Sequence, residues 1–533
     1  MDVNAPGVSP EPATGLPASG LPAADLPAGT EPAALRLLRD GGLPLAAVLV
    51  AALVLRLLGL DDGLWLDEIL TLADFARRPP LEVLGVYPND NHHPLYSFAA
   101  ALCVAVAGES AAALRAPAVA FGVASVAALY VLARRLLSRG PSLAAAAILA
   151  LFGRHVFFSQ NARGYTALLF FALVAASSFL RARDARRGAA GSLALALALG
   201  AYSHLTGVFV GVGQAVVQLL RPGPGGRFAA APWRGILGGG AVTLLLHAPM
   251  AADLWRFFVA RPDRVAVRSS WTDPLHFLRE AAAAAGPKAT ALAAAAAVLG
   301  GVVVLAGIVA LERRRPGAAL AMLMPPLLGG GATVALGRHL WPRFFFFAAG
   351  YGVIWCVAGV VSSARTRAPA SRRRLVAGVL GAAVLASAAT TRGAYGPKQD
   401  FLGPLRLLAP QEAAAFATPG VFPSPRPSRA PGPQDPRVFT TGLALWPYAY
   451  LFAPGWTPVA LGPSDLPVDD PTALATALGG PERDRVRVVA CSPVFLASRQ
   501  PRTAELLERE CREIARFGGT MGAELDLVVY APR

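Results

Sequence analysis

Apolar runs close to membrane-crossing length recur from residue 43 to residue 391, each closed by a short polar stretch. Only a helix or a closed barrel satisfies its own backbone groups in hydrocarbon, and a crossing helix needs about 20 mostly apolar residues. The runs at 43–60, 112–133, 142–158, 166–180, 189–202, 206–220, 235–250, 289–311, 317–336, 344–362 and 375–391 therefore predict a mainly α, polytopic membrane protein of about eleven spans. Composition agrees: 15% of the 533 residues are charged, against about 25% in an ordinary soluble domain.

Charge orients the runs. "ARRLLSRG" (133–140), "RARDARRG" (181–188), "RPGPGGRF…PWR" (221–234), "ERRRPG" (312–317) and "SSARTRAPASRRR" (362–374) alternate with less basic loops. The positive-inside rule places all five in the cytoplasm, together with "RLLRD" at 36–40. The net charge of +16 follows from these loops. No long basic stretch is interleaved with aromatics, so no nucleic-acid partner is expected. Residues 1–42 are rich in Pro, Ala and Gly, which predicts a disordered cytoplasmic tail rather than a cleaved signal.

One apolar segment has to be left out of the count. Residues 94–110, "PLYSFAAALCVAVAGES", are too short to cross, and counting them would put every Arg-rich loop outside. They predict a juxtamembrane or re-entrant helix on the outer face. Residues 61–111 then form one large extracytoplasmic loop. The same alternation puts 159–165, 202–207, 337–344 and the chain from 392 onward outside. Residues 392–533 predict a small extracytoplasmic α/β domain with a Pro-rich loop at 423–436, strands at 437–441, 485–491 and 525–531, and a helix at 502–517. Cys491 and Cys511 would share its oxidising compartment and be able to pair; the four cysteines make no metal signature.

The outer loops carry the candidate chemistry. "GLWLDEIL" (63–70) sets Asp67 and Glu68 among Trp and Leu side chains, where partial burial favours a carboxylate base. Neighbours on a helix point about 100° apart, so one acid can face a substrate while the other orients or binds something else. Asp67 is the expected base. "NDNHHPLYS" (89–97) adds Asp90, His92, His93 and Tyr96, with Pro94 suited to the first turn of a helix. Adjacent histidines lack the spacing of a zinc site, and a polar lip over the acids fits them better. "SQNARGY" brings Arg163 and Tyr165, "YSHLTG" brings His204, and "RHLWPRFFFF" brings Arg338, His339 and Arg343. Single arginines at this depth ordinarily snorkel to headgroups, and a single histidine ordinarily fills a core. Acids from one loop and cations from two others at one membrane surface suit a phosphorylated lipid with a reacting head group.

Taken in order, these motifs resemble the GT-C membrane glycosyltransferases, in particular the bacterial glycosyltransferase 39-like families related to protein O-mannosyltransferases and lipid-A aminoarabinose transferases. The resemblance covers about residues 43–391. It rests on Asp67-Glu68; on Asp90, His92, Pro94, Leu95 and Tyr96; on Ala162, Arg163 and Tyr165; and on Arg343, Phe344 and Phe345. His93 stands where the family often has a proline, and Ser97 where it often has an aromatic. The resemblance implies a GT-C bundle over 43–391, with inverting transfer of a sugar from a polyprenyl-phosphate donor to a lipid, glycan or protein acceptor at the outer face of the cell membrane. It implies the loop Asp as general base and leaves a divalent metal open. A lipid or glycan transporter or flippase, which would place its charges near the midplane, and a glycan ligase of another membrane fold are the alternative readings.

Overall fold

Each of these apolar runs is helical in the computed structural model, which describes residues 33–260, 273, 275, 291–338, 340–414, 416, 435–452, 455–460, 468–491, 496–497, 500–520 and 525–533. Most of the expected N-terminal tail, His339 and most of the Pro-rich loop lie outside the described residues. In chain order the helices used below are α1 (Ala33–Leu57), α2 (Leu66–Thr71), α3 (Pro94–Ala107), α4 (Ala111–Arg134), α5 (Arg139–Leu151), α6 (Gly153–Ser159) and α7 (Tyr165–Arg183). They continue with α8 (Ala189–Ser203), α9 (Val208–Leu220), α10 (Ala230–His247), α11 (Ala291–Arg314), α12 (Leu320–Ala335), α13 (Ala348–Ser363) and α14 (Pro369–Thr390).

Length separates these helices into two groups. Among the described residues five are long and apolar enough to cross a membrane: Leu35–Leu57, Ala111–Arg134, Tyr165–Arg183, Ala230–Ala260 and Pro369–Ala394. The pair α5–α6, bent by 59°, makes a sixth if it is one span. Others, such as Ala189–Ser203, are shorter apolar helices. At 1.5 Å per residue a 15-residue helix reaches about 22 Å, short of a hydrocarbon core of about 30 Å. The predicted helix positions hold, and length and composition alone support fewer crossings than eleven. Residues 94–107 form the short helix expected there, which buries Tyr96, Ser97, Ala100 and Ala101. The first run starts at a kink, where Gly42 adopts φ 54° just before Pro44.

The break between α5 and α6 decides where a functional loop lies. A helix end leaves four carbonyls without partners, which hydrocarbon cannot satisfy. Here side chains close three of the four, and the Phe152 N–H closes Leu149 O (3.3 Å). Ser387 Oγ donates to Ile148 O (2.8 Å), Arg56 Nη1 to Ala150 O (3.2 Å) and Thr391 Oγ1 to Leu151 O (2.9 Å), while Arg56 Nη2 donates to His155 Nδ1 (2.7 Å). The first and last helices of the bundle thereby hold the bend, and α6 delivers residues 159–165 to the end of the bundle where α2 lies.

Beyond α14 the chain forms a five-stranded sheet: β1 (Arg437–Gly442), β2 (Thr457–Pro458), β3 (Val486–Cys491), β4 (Cys511–Phe517) and β5 (Leu527–Pro532). Its order is β2-β1-β3-β5-β4, with β2, β1 and β3 parallel and β5 antiparallel to both neighbours. Thr440 pairs with Val489, which pairs in turn with Val529. The three predicted strands are present. The helix expected over 502–517 is a correction: it spans Pro501–Glu510, and the chain then turns into β4. Leu506 and Leu507 do face the core, but Ile514 is an exposed residue of an edge strand. Its three-residue spacing from Phe517 imitated a helix across a β-bulge at Glu513/Ala515. Cys491 and Cys511, which could have paired, are free and buried in the core. Val489, Cys491, Leu527 and Val529 share one core with Trp65, Leu66 and Ile69, which seats the sheet against α2.

Candidate active site

Asp67 and Glu68 occupy the first turn of α2, and the helix sends them to different environments. Glu68 points inward and is fully buried. Its carboxylate accepts Arg115 Nε (2.8 Å) and Nη2 (2.6 Å), the Ala162 N–H (2.7 Å) and the Trp65 N–H (3.3 Å). Lys398 Nζ lies 3.4 Å from both oxygens. Burial alone would raise this carboxyl; Arg115, Lys398 and the Ala162 amide outweigh it and hold Glu68 at about 2. Burial and Arg115 in turn push the Lys398 ammonium down to about 7, against the pull of Glu68. Glu68 thus ties α2, α4, the 160–163 loop and the segment after α14 together.

Asp67 points the other way, into a cleft, with its side chain 16% exposed. Two guanidiniums meet it there: Arg163 Nη2 at 3.8 Å and Arg343 Nη2 at 4.0 Å from Oδ2. Neither is a tight, bidentate pair. The Nε–H groups of both arginines are buried with no hydrogen-bond partner. Arg343 lies over Trp341 (4.6 Å) and Trp65 (5.8 Å), which fixes its plane. Asn91 latches the loops: its Nδ2 donates to Asp67 O (3.0 Å), and its carbonyl accepts Arg163 Nη1 (2.6 Å). Trp65 Nε1 adds a bond to Asn161 Oδ1 (3.0 Å).

The other predicted residues divide around this centre. Asp90 is an exposed residue; desolvation at its carboxyl and the nearby Asp67 charge raise it, while Arg163 and Arg343 oppose. Arg338 lies over Phe258 (5.4 Å) and interacts electrostatically with Asp90. His93 Nδ1 lies 2.9 Å from Ser203 O, which makes it a donor and leaves Nε2 buried with no partner. His204 Nδ1 accepts the Thr206 N–H (3.2 Å), so its proton sits on Nε2. The His93 and His204 rings are 4.9 Å apart, and Tyr165 lies within 5.7 Å of both. His92 instead stacks on Phe75 at 4.2 Å, where burial lowers it to about 3. Tyr96 is buried against α4, its hydroxyl donating to Leu114 O rather than facing the cleft. Among the described residues no three His, Cys, Asp or Glu side chains are grouped as metal ligands.

The chain is similar to known membrane proteins. Residues 91–252 match the dolichyl-phosphate-mannose-protein mannosyltransferase family. The chain superposes on ArnT from Cupriavidus metallidurans bound to undecaprenyl phosphate with a TM-score of 0.54 at 13% identity, covering 91% of this chain and 97% of that one. The same protein in the apo state gives 0.51, also at 13% identity with 91% and 97% covered. The chain has the GT-C fold. An Archaeoglobus fulgidus oligosaccharyltransferase tethered with an acceptor peptide gives 0.48 at 13% identity, covering 92% of this chain and 74% of that one. No curated protein matches the sequence.

Within this GT-C fold, sequence reasoning missed Arg115, Lys398, Asn91 and Asn161. Arg115 carried a signal, since an arginine set among the alanines of a span demands a buried acid. Lys398 carried none, because nothing in "GPKQD" marks a contact with Glu68, 330 residues away.

Proposed function

We propose that this protein transfers a sugar from a polyprenyl-phosphate donor to a hydroxyl of a lipid, glycan or protein acceptor at the outer face of the cell membrane, with inversion. The observation that carries this reading is the carboxylate of Asp67 held between Arg163 and Arg343. Asp67 takes the acceptor's proton as its oxygen attacks the anomeric carbon. The bond from that carbon to the phosphate oxygen breaks, and the phosphate leaves with the electron pair. Arg163 and Arg343, with unused Nε–H donors, stabilise that developing charge. In the resting protein they neutralise Asp67 loosely. An incoming lipid phosphate competes for them and frees the base. The solved ArnT complex with undecaprenyl phosphate supports the donor class.

A strain lacking the protein is expected to accumulate a polyprenyl-phosphate sugar and to lose a glycan, both reversed by the wild-type gene; no accumulation would refute the reading. In reconstituted protein Arg343→Ala should raise the donor KM by about tenfold or more, the worth of one or two charge-assisted hydrogen bonds. A change confined to acceptor KM would reverse the assignment of the cationic side.

The charge alternation further supports about eleven crossings, the shorter helices included, with a cytoplasmic N-terminus, an outer catalytic loop at 61–111 and an outer domain at 392–533. In a background without native cysteines, Glu109→Cys should react with an impermeant thiol reagent added outside, and Arg186→Cys only after permeabilisation. The opposite pattern would invert the topology.

A further inference from the structure

The segment that joins α14 to the outer domain reaches back under the cleft. Lys398 Nζ donates to Gln160 O (2.6 Å) and lies 3.4 Å from both Glu68 oxygens, buried below Arg163's own loop. Next to it, Gln399 faces two ways. Its Oε1 accepts the Leu66 N–H (2.8 Å), and its Nε2 donates to Leu525 O in the sheet domain (2.9 Å). Leu66 is the first residue of α2, and its N–H is one of those a helix leaves without a partner. A side chain 333 residues away therefore caps the short helix that carries Asp67. Even with the π-helical turn that continues it over Leu72–Ala76, this helix is shorter than the length at which a helix holds by itself.

We infer that Lys398 and Gln399 are positioning residues, through which the outer domain fixes the helix of Asp67 and the loop of Arg163 at one separation. The inference rests on the reaction proposed above. Gln399 sets the carboxylate side and Lys398 the phosphate-holding side, so the outer domain forms part of the frame of the site. Glu68 joins the two: it receives the amide of Ala162, the ammonium of Lys398 and the amide of Trp65 at once.

The test uses the full chain in nanodiscs, with hydrogen exchange and binding of undecaprenyl phosphate as readouts. Gln399→Leu should speed exchange of peptides covering 64–72, and Lys398→Met that of 159–165, each by at least tenfold. Strands β3 and β5 should stay protected in both, which shows that the protein is folded. Lys398→Met should weaken undecaprenyl phosphate at least fivefold, and Lys398→Arg, which keeps donors for Gln160 O and Glu68, should restore affinity to within twofold. Unchanged exchange in both variants would overturn the inference. So would faster exchange at 159–165 with unchanged affinity, or failure of Lys398→Arg to restore binding. If the wild type itself does not bind undecaprenyl phosphate, the donor assignment fails, and the exchange results alone decide whether the frame exists.

Discussion

Asp67→Asn is expected to lower sugar transfer by about 10²–10⁴-fold, the range of a lost general base, while the protein stays folded in the membrane. The substitution keeps shape and removes only the negative charge and the ability to take a proton. Asp67 contributes little to packing, being part exposed, and its carbonyl bond to Asn91 does not involve the side chain. The loss should fall on kcat. Undecaprenyl phosphate should bind as tightly as before or more tightly, because Arg163 and Arg343 lose the carboxylate that competes for them. Isothermal titration with undecaprenyl phosphate beside a transfer assay separates the two effects. A fully active Asp67→Asn protein would end Asp67's role as base, and weaker phosphate binding would contradict the competition between the two anions.

The helices and the sheet were readable because each rests on a local signal: apolar length or strand-like runs. Asp67, Arg163 and Arg343 were readable for a related reason. Each is a charged residue near the end of an apolar run, and the three side chains do meet. The division of labour between Asp67 and Glu68 was not readable. Two adjacent acids look alike in sequence, and only Arg115 and Lys398, remote in the chain, set Glu68 inward as an anchor. His92 and His93 were indistinguishable for the same reason, although one stacks on Phe75 and the other faces His204. β4 failed differently: a bulged edge strand exposes Ile514 and imitates helical spacing, so its local pattern pointed to the wrong period.

Arg115→Leu should destabilise the protein by roughly 3–5 kcal/mol, the cost of leaving a buried charge without its partner. Arg115 is fully buried and binds more than Glu68: its Nη1 donates to Leu60 O and Asp62 O at 2.7 Å each, which pins the exit of α1. Lys398, at 3.4 Å from Glu68 and lowered to about 7, is too readily neutralised to replace it. Removing the acid as well, in Glu68→Gln with Arg115→Leu, should recover part of the loss, because the buried carboxylate is gone and Lys398, already lowered to about 7, can shed its proton. The pH dependence carries the same sign. Glu68 is depressed from 4.5 to about 2, so its ionisation stabilises the fold fully above about 4.5, and that contribution is lost as pH falls toward 2. His92, depressed from 6.5 to about 3, adds a loss that begins as pH drops below about 6.5. Below the range of about pH 10.5 to 7 in which Lys398 adds its own loss, wild-type melting temperature should therefore fall further from about pH 6.5 downward and more steeply below pH 4.5, whereas Glu68→Gln should lack this last, steeper phase. An acid profile identical in the two proteins would show that Glu68 is not the buried anion that holds α2 in place.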